Sequence, residues 1–243
     1  SAEVQINKNY LEAKYQAIYD EVSFAKYKAL NEKEPKKYRS IEDNPVIFVN
    51  YYAPLITLVN GNRVIQPMRY STYLPEKFRG TKKYSSYNAR KDNLQSKFWS
   101  DSFMKNHGII ILKSFFEWVG VKDLLASNYI DIKEIENDFK YQEEKRKLKV
   151  VESGKIYKPT ASERKDIIDR EIIVRFNPTQ NDDMVVPVIF NSSPDEPFKG
   201  FAIVTDDPPL EVSRAGHNRC PINLEYGAID DWLNPVEKSL VTV

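Results

Sequence analysis

Glu117 lies between Phe116 and Trp118, where the apolar run Gly108-Ile109-Ile110-Ile111-Leu112, which reads as a buried strand, gives out. Side chains alternate along a strand, so Glu117 shares a face with Phe115 and Val119. A carboxylate flanked by aromatics is partly desolvated, which raises its pKa and suits a general acid or base. The plainer alternative is a strand-end carboxylate paired with a lysine. His217 is one of two histidines and stands in Arg214-Ala215-Gly216-His217-Asn218-Arg219-Cys220-Pro221, a loop by its composition. A loop histidine exchanges protons near neutral pH, or is an ordinary surface residue. His107, before Gly108 at a turn, reads as structural. Asn88 and Arg90, two apart on one strand face, offer an amide and a guanidinium that suit a sugar-phosphate backbone. Cys220 is the single cysteine; Arg219 beside it would lower its pKa, and burial would make it inert. There are no paired Cys and His ligands for a metal, no glycine-rich phosphate loop and no nucleophile elbow, so neither metal nor cofactor is expected.

The elements that must position these residues are mostly strands. Leu11, Tyr15, Ile18, Tyr19 and Val22 recur at helical spacing and predict one helix, started by Asn7 or Asn9 and ended before Pro35. Strand patterns follow at Val46 to Val49, Ile56 to Val59 and Arg63 to Ile65. Asn60-Gly61 between the last two is a strong hairpin signal, because both turn residues must accept positive φ. Tyr84 to Arg90 reads as extended, and Leu94 to Met104 as a short helix carrying Phe98, Trp99 and Phe103. Ile132 to Val151 is rich in Lys and Glu with sparse apolar positions, an exposed helix, and Ser162 to Arg170 reads as a second polar helix. Ile172 to Val174, Val185 to Phe190 and Phe201 to Thr205 are strand-like. The expected fold is α+β: one domain over residues 1–243 with a largely antiparallel, barrel-like sheet, flanking helices and a charged helical insertion at about 120–170.

Composition narrows the class without naming an activity. Lys and Arg number 36 against 35 Asp and Glu, so any polyanion site must be a local patch. One cysteine allows no intramolecular disulfide, and no apolar run approaches the roughly 18 residues of a membrane-spanning helix. A monomeric cytoplasmic protein is expected.

The order of the blocks is more specific than any one of them. Asn88-Ala89-Arg90, Phe116-Glu117-Trp118 after an apolar strand, Phe201-Ala202-Ile203-Val204-Thr205, His217-x-Arg219-x-Pro221 and Trp232-Leu233 resemble, in that order, the SOS response-associated peptidase family. Tyr52-Ala53-Pro54 and Met68-Arg69-Tyr70 look like two earlier family blocks, and the resemblance covers roughly residues 46–118 and 172–235.

This resemblance implies a chemistry. Family members capture abasic sites in single-stranded DNA through a cysteine made N-terminal by loss of the initiator methionine, with autoproteolytic processing in some. Its amine forms a Schiff base with the ring-opened aldehyde, and its thiol closes a thiazolidine. By motif match, Asn88 positions the N-terminal residue or the sugar, Glu117 shuttles protons, and His217 assists the same transfers. Arg90 and Arg219 contact phosphates. Arg69, Tyr70 and Pro54 complete the expected DNA contacts, with exposed aromatics such as Tyr70 or Tyr73 stacking on bases. The chain departs from the family pattern in several places. It begins Ser1-Ala2-Glu3-Val4, so the nucleophile is expected upstream of Ser1. Asp92 replaces a glutamate, Tyr70-Ser71-Thr72 replaces a Trp-Gly block, and the chain ends soon after Trp232-Leu233. Two alternatives are a non-covalent single-stranded DNA-binding module that has lost the nucleophile, and a hydrolase that brings Cys220 beside His217.

Overall fold

The computed structural model describes residues 1–74, 86–103, 105–179 and 182–235; the expected start of an extended segment at Tyr84 and the expected helix end at Met104 lie outside them. Strand β1 (Ala2–Val4) precedes helix α1 (Lys8–Tyr15), whose first turn is capped by Asn7 Oδ1 accepting the Tyr10 N–H at 3.0 Å. The helix does not continue through Val22 as its periodicity suggests. Gln16 adopts the left-handed conformation at φ 50°, and Ile18–Tyr19 forms a short strand, β2. It lies parallel to a distant segment, Ile18 opposite Val64 and Tyr19 opposite Ile65. Asp20 then caps a second helix, α2 (Glu21–Lys33), accepting from the Ser23 N–H at 3.0 Å and hydroxyl at 2.6 Å. A local cap and a long-range pairing thus override the helical pattern.

After the two-residue β3 (Val46–Ile47), the hairpin forms as its turn chemistry requires. Strands β4 (Tyr52–Val59) and β5 (Asn62–Tyr70) run antiparallel, joined by Asn60 at φ 50° and Gly61 at φ 79°. Strand β6 (Asn88–Arg90) leads into a 3₁₀ turn at Lys91–Asn93 and a one-turn helix, α3 (Ser100–Phe103), shorter than the helix expected from Leu94. Strand β7 (His107–Gly120) is the longest. Helices α4 (Val121–Ala126) and α5 (Ile132–Glu152) follow, then β8 (Glu171–Phe176), which pairs β7. The chain continues through β9 (Met184–Asn191), β10 (Gly200–Asp206), α6 (Leu210–Arg214), β11 (Cys220–Pro221) and α7 (Ile229–Leu233). The class is α+β, as the sequence implies.

The described residues divide into two compact units. The first holds residues 1–115, 176–206 and those from 221 on; the second holds 116–175 and 207–220. In the first, hydrogen bonding closes into a ring: β4 pairs β5, β5 pairs β10, β10 pairs β9, β9 pairs β7, and β7 returns to β4 through Ile56 and Ile109. Most of these pairs are antiparallel, while β10 lies parallel to both β5 and β6. Closure leaves no open edge among these strands. Its core gathers Leu11, Tyr15, Ile65, Ile111, Val204 and Trp232. His107 is buried there with its ring stacked on Trp232 at 4.0 Å. Its Nδ1 lies 2.7 Å from the Trp232 carbonyl and its Nε2 contacts the Phe103 carbonyl, while burial pulls its pKa down. A histidine so placed holds α3 and α7 together, a structural role.

In the second unit α5 buries only Ile135, in keeping with its polar sequence. The helix expected over Ser162 to Arg170 is instead a turn followed by a 3₁₀ segment at Ile167–Asp169. Buried Arg170 explains the difference, because its guanidinium donates to the Glu163 and Lys165 carbonyls at 3.1 and 3.0 Å and pairs with Glu143 at 2.5 Å. Those carbonyls are spent on a side chain, not on helical N–H groups. Among the described residues no helix is long and apolar enough to cross a membrane.

Gly200 opens β10 where a Cβ would stand 2.3 Å from the Ser71 carbonyl oxygen. Backbone on both sides leaves no flexible neighbour to move aside. Gly200→Ala is therefore expected to destabilise the protein by about 1–3 kcal/mol, the usual range for overpacking. Urea unfolding measures it, and a midpoint equal to that of the unsubstituted protein would contradict the close approach.

Candidate functional site

Helix α6 ends at Arg214, and the chain then turns back on itself: the Gly216 N–H reaches the Ser213 carbonyl at 2.9 Å and the His217 N–H the Val212 carbonyl at 3.2 Å. Gly216 adopts φ +89°, and a Cβ there would meet the Asp123 side chain at 2.8 Å. From α4's C-terminal cap the Ser127 hydroxyl donates to the Arg214 carbonyl at 2.5 Å, so the histidine loop is held where it leaves α6.

This loop presents His217 to Glu117. Nε2 lies 3.0 Å from Glu117 Oε2, with side-chain exposures of 24% and 29%. Nδ1 lies 2.8 Å from the Arg219 carbonyl, which can only accept, so Nδ1 carries a hydrogen. Nε2 then faces a carboxylate oxygen. Either Nε2 is also protonated and donates, or the protonated carboxyl donates to Nε2. In both cases one proton sits on the line between the two side chains. The partner is a histidine and not the lysine of the plainer reading. The expected enclosure between aromatics is also corrected, since Trp118 is 62% exposed. Phe115 and Val119, on the carboxylate's own strand face, are buried as expected.

The other expected site residues lie in the first unit, except Arg219. Asn88, in β6 opposite Ile203 of β10, accepts the Tyr70 hydroxyl on Oδ1 at 3.0 Å. Tyr70 itself is 7% exposed and its ring stacks on Phe201 at 5.2 Å, so the expectation of an exposed base-stacking platform is corrected: its hydroxyl orients Asn88 instead. Arg90 is forked by Asp92, Nε and Nη2 at 2.8 and 2.7 Å from its two carboxylate oxygens. Arg69 lies with its guanidinium 4.3 Å from the Tyr73 ring centre. Pro54, half-buried, stands opposite Pro67 in the β4–β5 ladder. Arg219, in the second unit, is half-buried, and among the described residues its Nε has no hydrogen-bond partner. Sequence reasoning missed the clamp of Asp123 and Ser127 behind the histidine loop; the glycine before His217 is its one visible signal.

Cys220 is half-buried, and its thiol is pushed up to about 11 by burial first and then by the Glu117 charge. That is opposite to the shift Arg219 was expected to cause, and it leaves little thiolate for a hydrolase. Among the described residues no three His, Cys, Asp or Glu side chains are gathered as metal ligands.

Comparisons with known proteins agree with the motif order. The family model described as SOS response associated peptidase (SRAP) matches residues 8–242. A solved protein structure from Bordetella bronchiseptica superposes with a TM-score of 0.59 at 14% identity, covering 99% of this chain and 90% of that one. Another, from Bacteroides thetaiotaomicron, gives 0.49 at 15% identity over 88% and 81% of the two chains. A phage-related protein from Bordetella bronchiseptica gives 0.48 at 12% over 78% and 68%. At 14% identity the likeness to the first of these is one of fold. No curated protein matches the sequence.

Alkylation kinetics check the thiol. With a pKa near 11 against an ordinary 9.0, Cys220 is expected to react with iodoacetamide at pH 8 about a hundredfold more slowly than an unperturbed cysteine. Glu117→Gln removes one of the two causes and should bring the titration down. Because the unfolded thiol ionises first, Cys220 stabilises the fold fully below pH 9 and loses that contribution as pH rises towards 11. Reaction at the unperturbed rate would contradict the burial assigned to the thiol.

Proposed function

The chain belongs to the SOS response associated peptidase family, and from that premise we propose that it captures abasic sites in single-stranded DNA as a covalent thiazolidine. The observation that carries this reading is the contact of Glu117 Oε2 with His217 Nε2, 3.0 Å apart. Capture needs proton movement at each stage. An α-amine adds to the C1′ aldehyde of the ring-opened deoxyribose, and the carbinolamine loses its hydroxyl as water. A thiol then adds to the imine carbon while its proton passes to nitrogen. Bonds and electrons balance without an oxidant. Glu117 gives the proton it shares with His217 to the departing hydroxyl, and the proton that leaves the amine nitrogen recharges the pair, whose imidazole is held in one orientation by the Arg219 carbonyl. Asn88, its carbonyl end fixed by Tyr70, holds the N-terminal residue or the sugar.

Cys220 is not the nucleophile, because its thiol titrates near 11 and it stands far from any N-terminal amine in the sequence. The attacking amine and thiol in this proposal belong to an N-terminal cysteine encoded ahead of Ser1. Autoproteolytic exposure of that cysteine fits the peptidase in the family's name.

Denaturing gels of protein incubated with an oligonucleotide bearing one abasic site test the proposal. Protein from the whole reading frame is expected to give a heat-stable shifted band, and a chain starting at Ser1 none. Glu117→Gln and His217→Ala should each slow band formation by about 10²-fold, the usual weight of one general acid–base group. Equal rates in all variants would remove the Glu117–His217 pair from the chemistry. The absence of a band from the whole protein would leave non-covalent binding of single strands.

A further inference from the structure

The first unit holds a cluster of cations that no stage of the capture chemistry uses. Lys36, Lys37, Arg39 and Arg69 line a cavity of about 240 Å³ with one carboxylate, Glu196. Glu196 Oε2 lies 3.4 Å from Lys37 Nζ, so that carboxylate is matched to one lysine. Three positive charges remain around the cavity, and among the described residues no carboxylate is within ion-pair distance of Lys36, Arg39 or Arg69.

The two guanidinium groups are held in a manner that spares most of their donors, Arg69 donating from Nη2 to the Thr72 carbonyl at 3.5 Å. Arg39 lies over the Tyr51 ring at 5.6 Å and Arg69 over the Tyr73 ring at 4.3 Å. Stacking on an aromatic face fixes a guanidinium plane without consuming its N–H groups. Arg39 spends Nε on the Lys36 carbonyl at 3.1 Å, which ties the two residues together. Among the described residues Arg69 Nε is buried without an acceptor, an arrangement that folded proteins avoid unless something else fills the place. Tyr52 also lines the cavity, and its hydroxyl is hydrogen-bonded to Tyr73. Asn50 enters the wall in the left-handed conformation at φ 70°, pinned by its N–H on the Tyr70 carbonyl at 2.8 Å.

An anion answers such a set of donors. A carboxylate carries one charge and two acceptor oxygens, too few for three cations. A phosphate carries up to two charges on several oxygens and takes the forked geometry of arginine. The cavity also leaves room for the sugar that bears it. We propose that this cavity, walled by Lys36, Arg39, Arg69 and Tyr52, binds a phosphate group carried on a nucleotide. It is a second polyanion contact, and it stands whether or not the protein captures abasic sites. The phosphate is supplied either by a terminal phosphomonoester or by an internal diester of a single strand.

Amide NMR spectra of ¹⁵N-labelled protein, titrated with thymidine 5′-monophosphate, with inorganic phosphate and with a thymidylate hexamer lacking terminal phosphates, test the proposal. Saturable shifts centred on the Arg39, Asn50 and Arg69 amides are expected, weakening as salt rises. The Lys36→Gln, Arg39→Gln double variant, at two exposed positions, should bind the monophosphate about tenfold more weakly with an unchanged thermal midpoint. Should that variant fail to fold, Lys36→Gln alone is expected to weaken binding about threefold. Tighter binding of the hexamer than of the monophosphate assigns the site to a strand backbone, and the reverse order to a free or terminal phosphate. Affinity unchanged in the folded variants, shifts centred elsewhere, or equal binding of unphosphorylated thymidine would each overturn the proposal.

Discussion

Strand β7 is hydrogen-bonded along one edge to β4 and along the other to β9, and this double pairing fixes its register against two partners at once. A slip of one residue would turn each of its side chains to the opposite face, and the run from His107 to Leu112 is buried throughout. Neither edge can slide without breaking the ring of pairing that the other strands complete. The ring in turn places β10, which, beyond the residues that pair β5, carries β6 and Asn88 through Ile203 and Val204. The position of the asparagine along the sheet is therefore decided by pairings several strands away from it.

The same strand contains a feature that alternation alone does not reveal. Val4 of β1 faces Leu112, but Glu3 faces Ser114, so Lys113 is an extra residue and is exposed. Paired residues share a face, so the bulge resets the alternation. Phe115 lies on the side of Leu112, and Glu117 and Val119 follow it. Counting pleats from Ile109 and Ile111 would have set Glu117 on their face. Counting back only from Val119 and Phe115, within the uninterrupted stretch, places it correctly.

Much of the frame was legible because its signals are local. Asn60-Gly61 has one sterically cheap conformation between two apolar runs, and the Lys- and Glu-rich stretch after Asp131 has no use but an exposed helix. The misreadings share the opposite character. Ile18 and Tyr19 left the helical pattern for partners on β5, and the turn before Arg170 yielded its carbonyls to a guanidinium. Tyr70 looked like a surface aromatic because nothing near it in sequence announces Phe201 or Asn88. Motif order identified Glu117 and His217, yet their contact at 3.0 Å depends on Gly216 and Asp123, a steric fit that no spacing encodes.

Under the proposed capture chemistry, the proton inventory of that contact explains how two side chains would serve several transfers. Imine formation requires a proton to leave nitrogen and a proton to reach oxygen, and ring closure moves one more from sulfur to nitrogen. With His217 Nδ1 committed to a carbonyl, only Nε2 can exchange, and it faces the carboxylate. The proton given to oxygen is replaced by the one that leaves nitrogen, shared between the same two atoms, and the pair ends each stage in the state in which it began. An imidazole free to rotate would lose that contact. The Arg219 carbonyl, a backbone group with no acid–base chemistry of its own, thereby fixes the direction of the transfer.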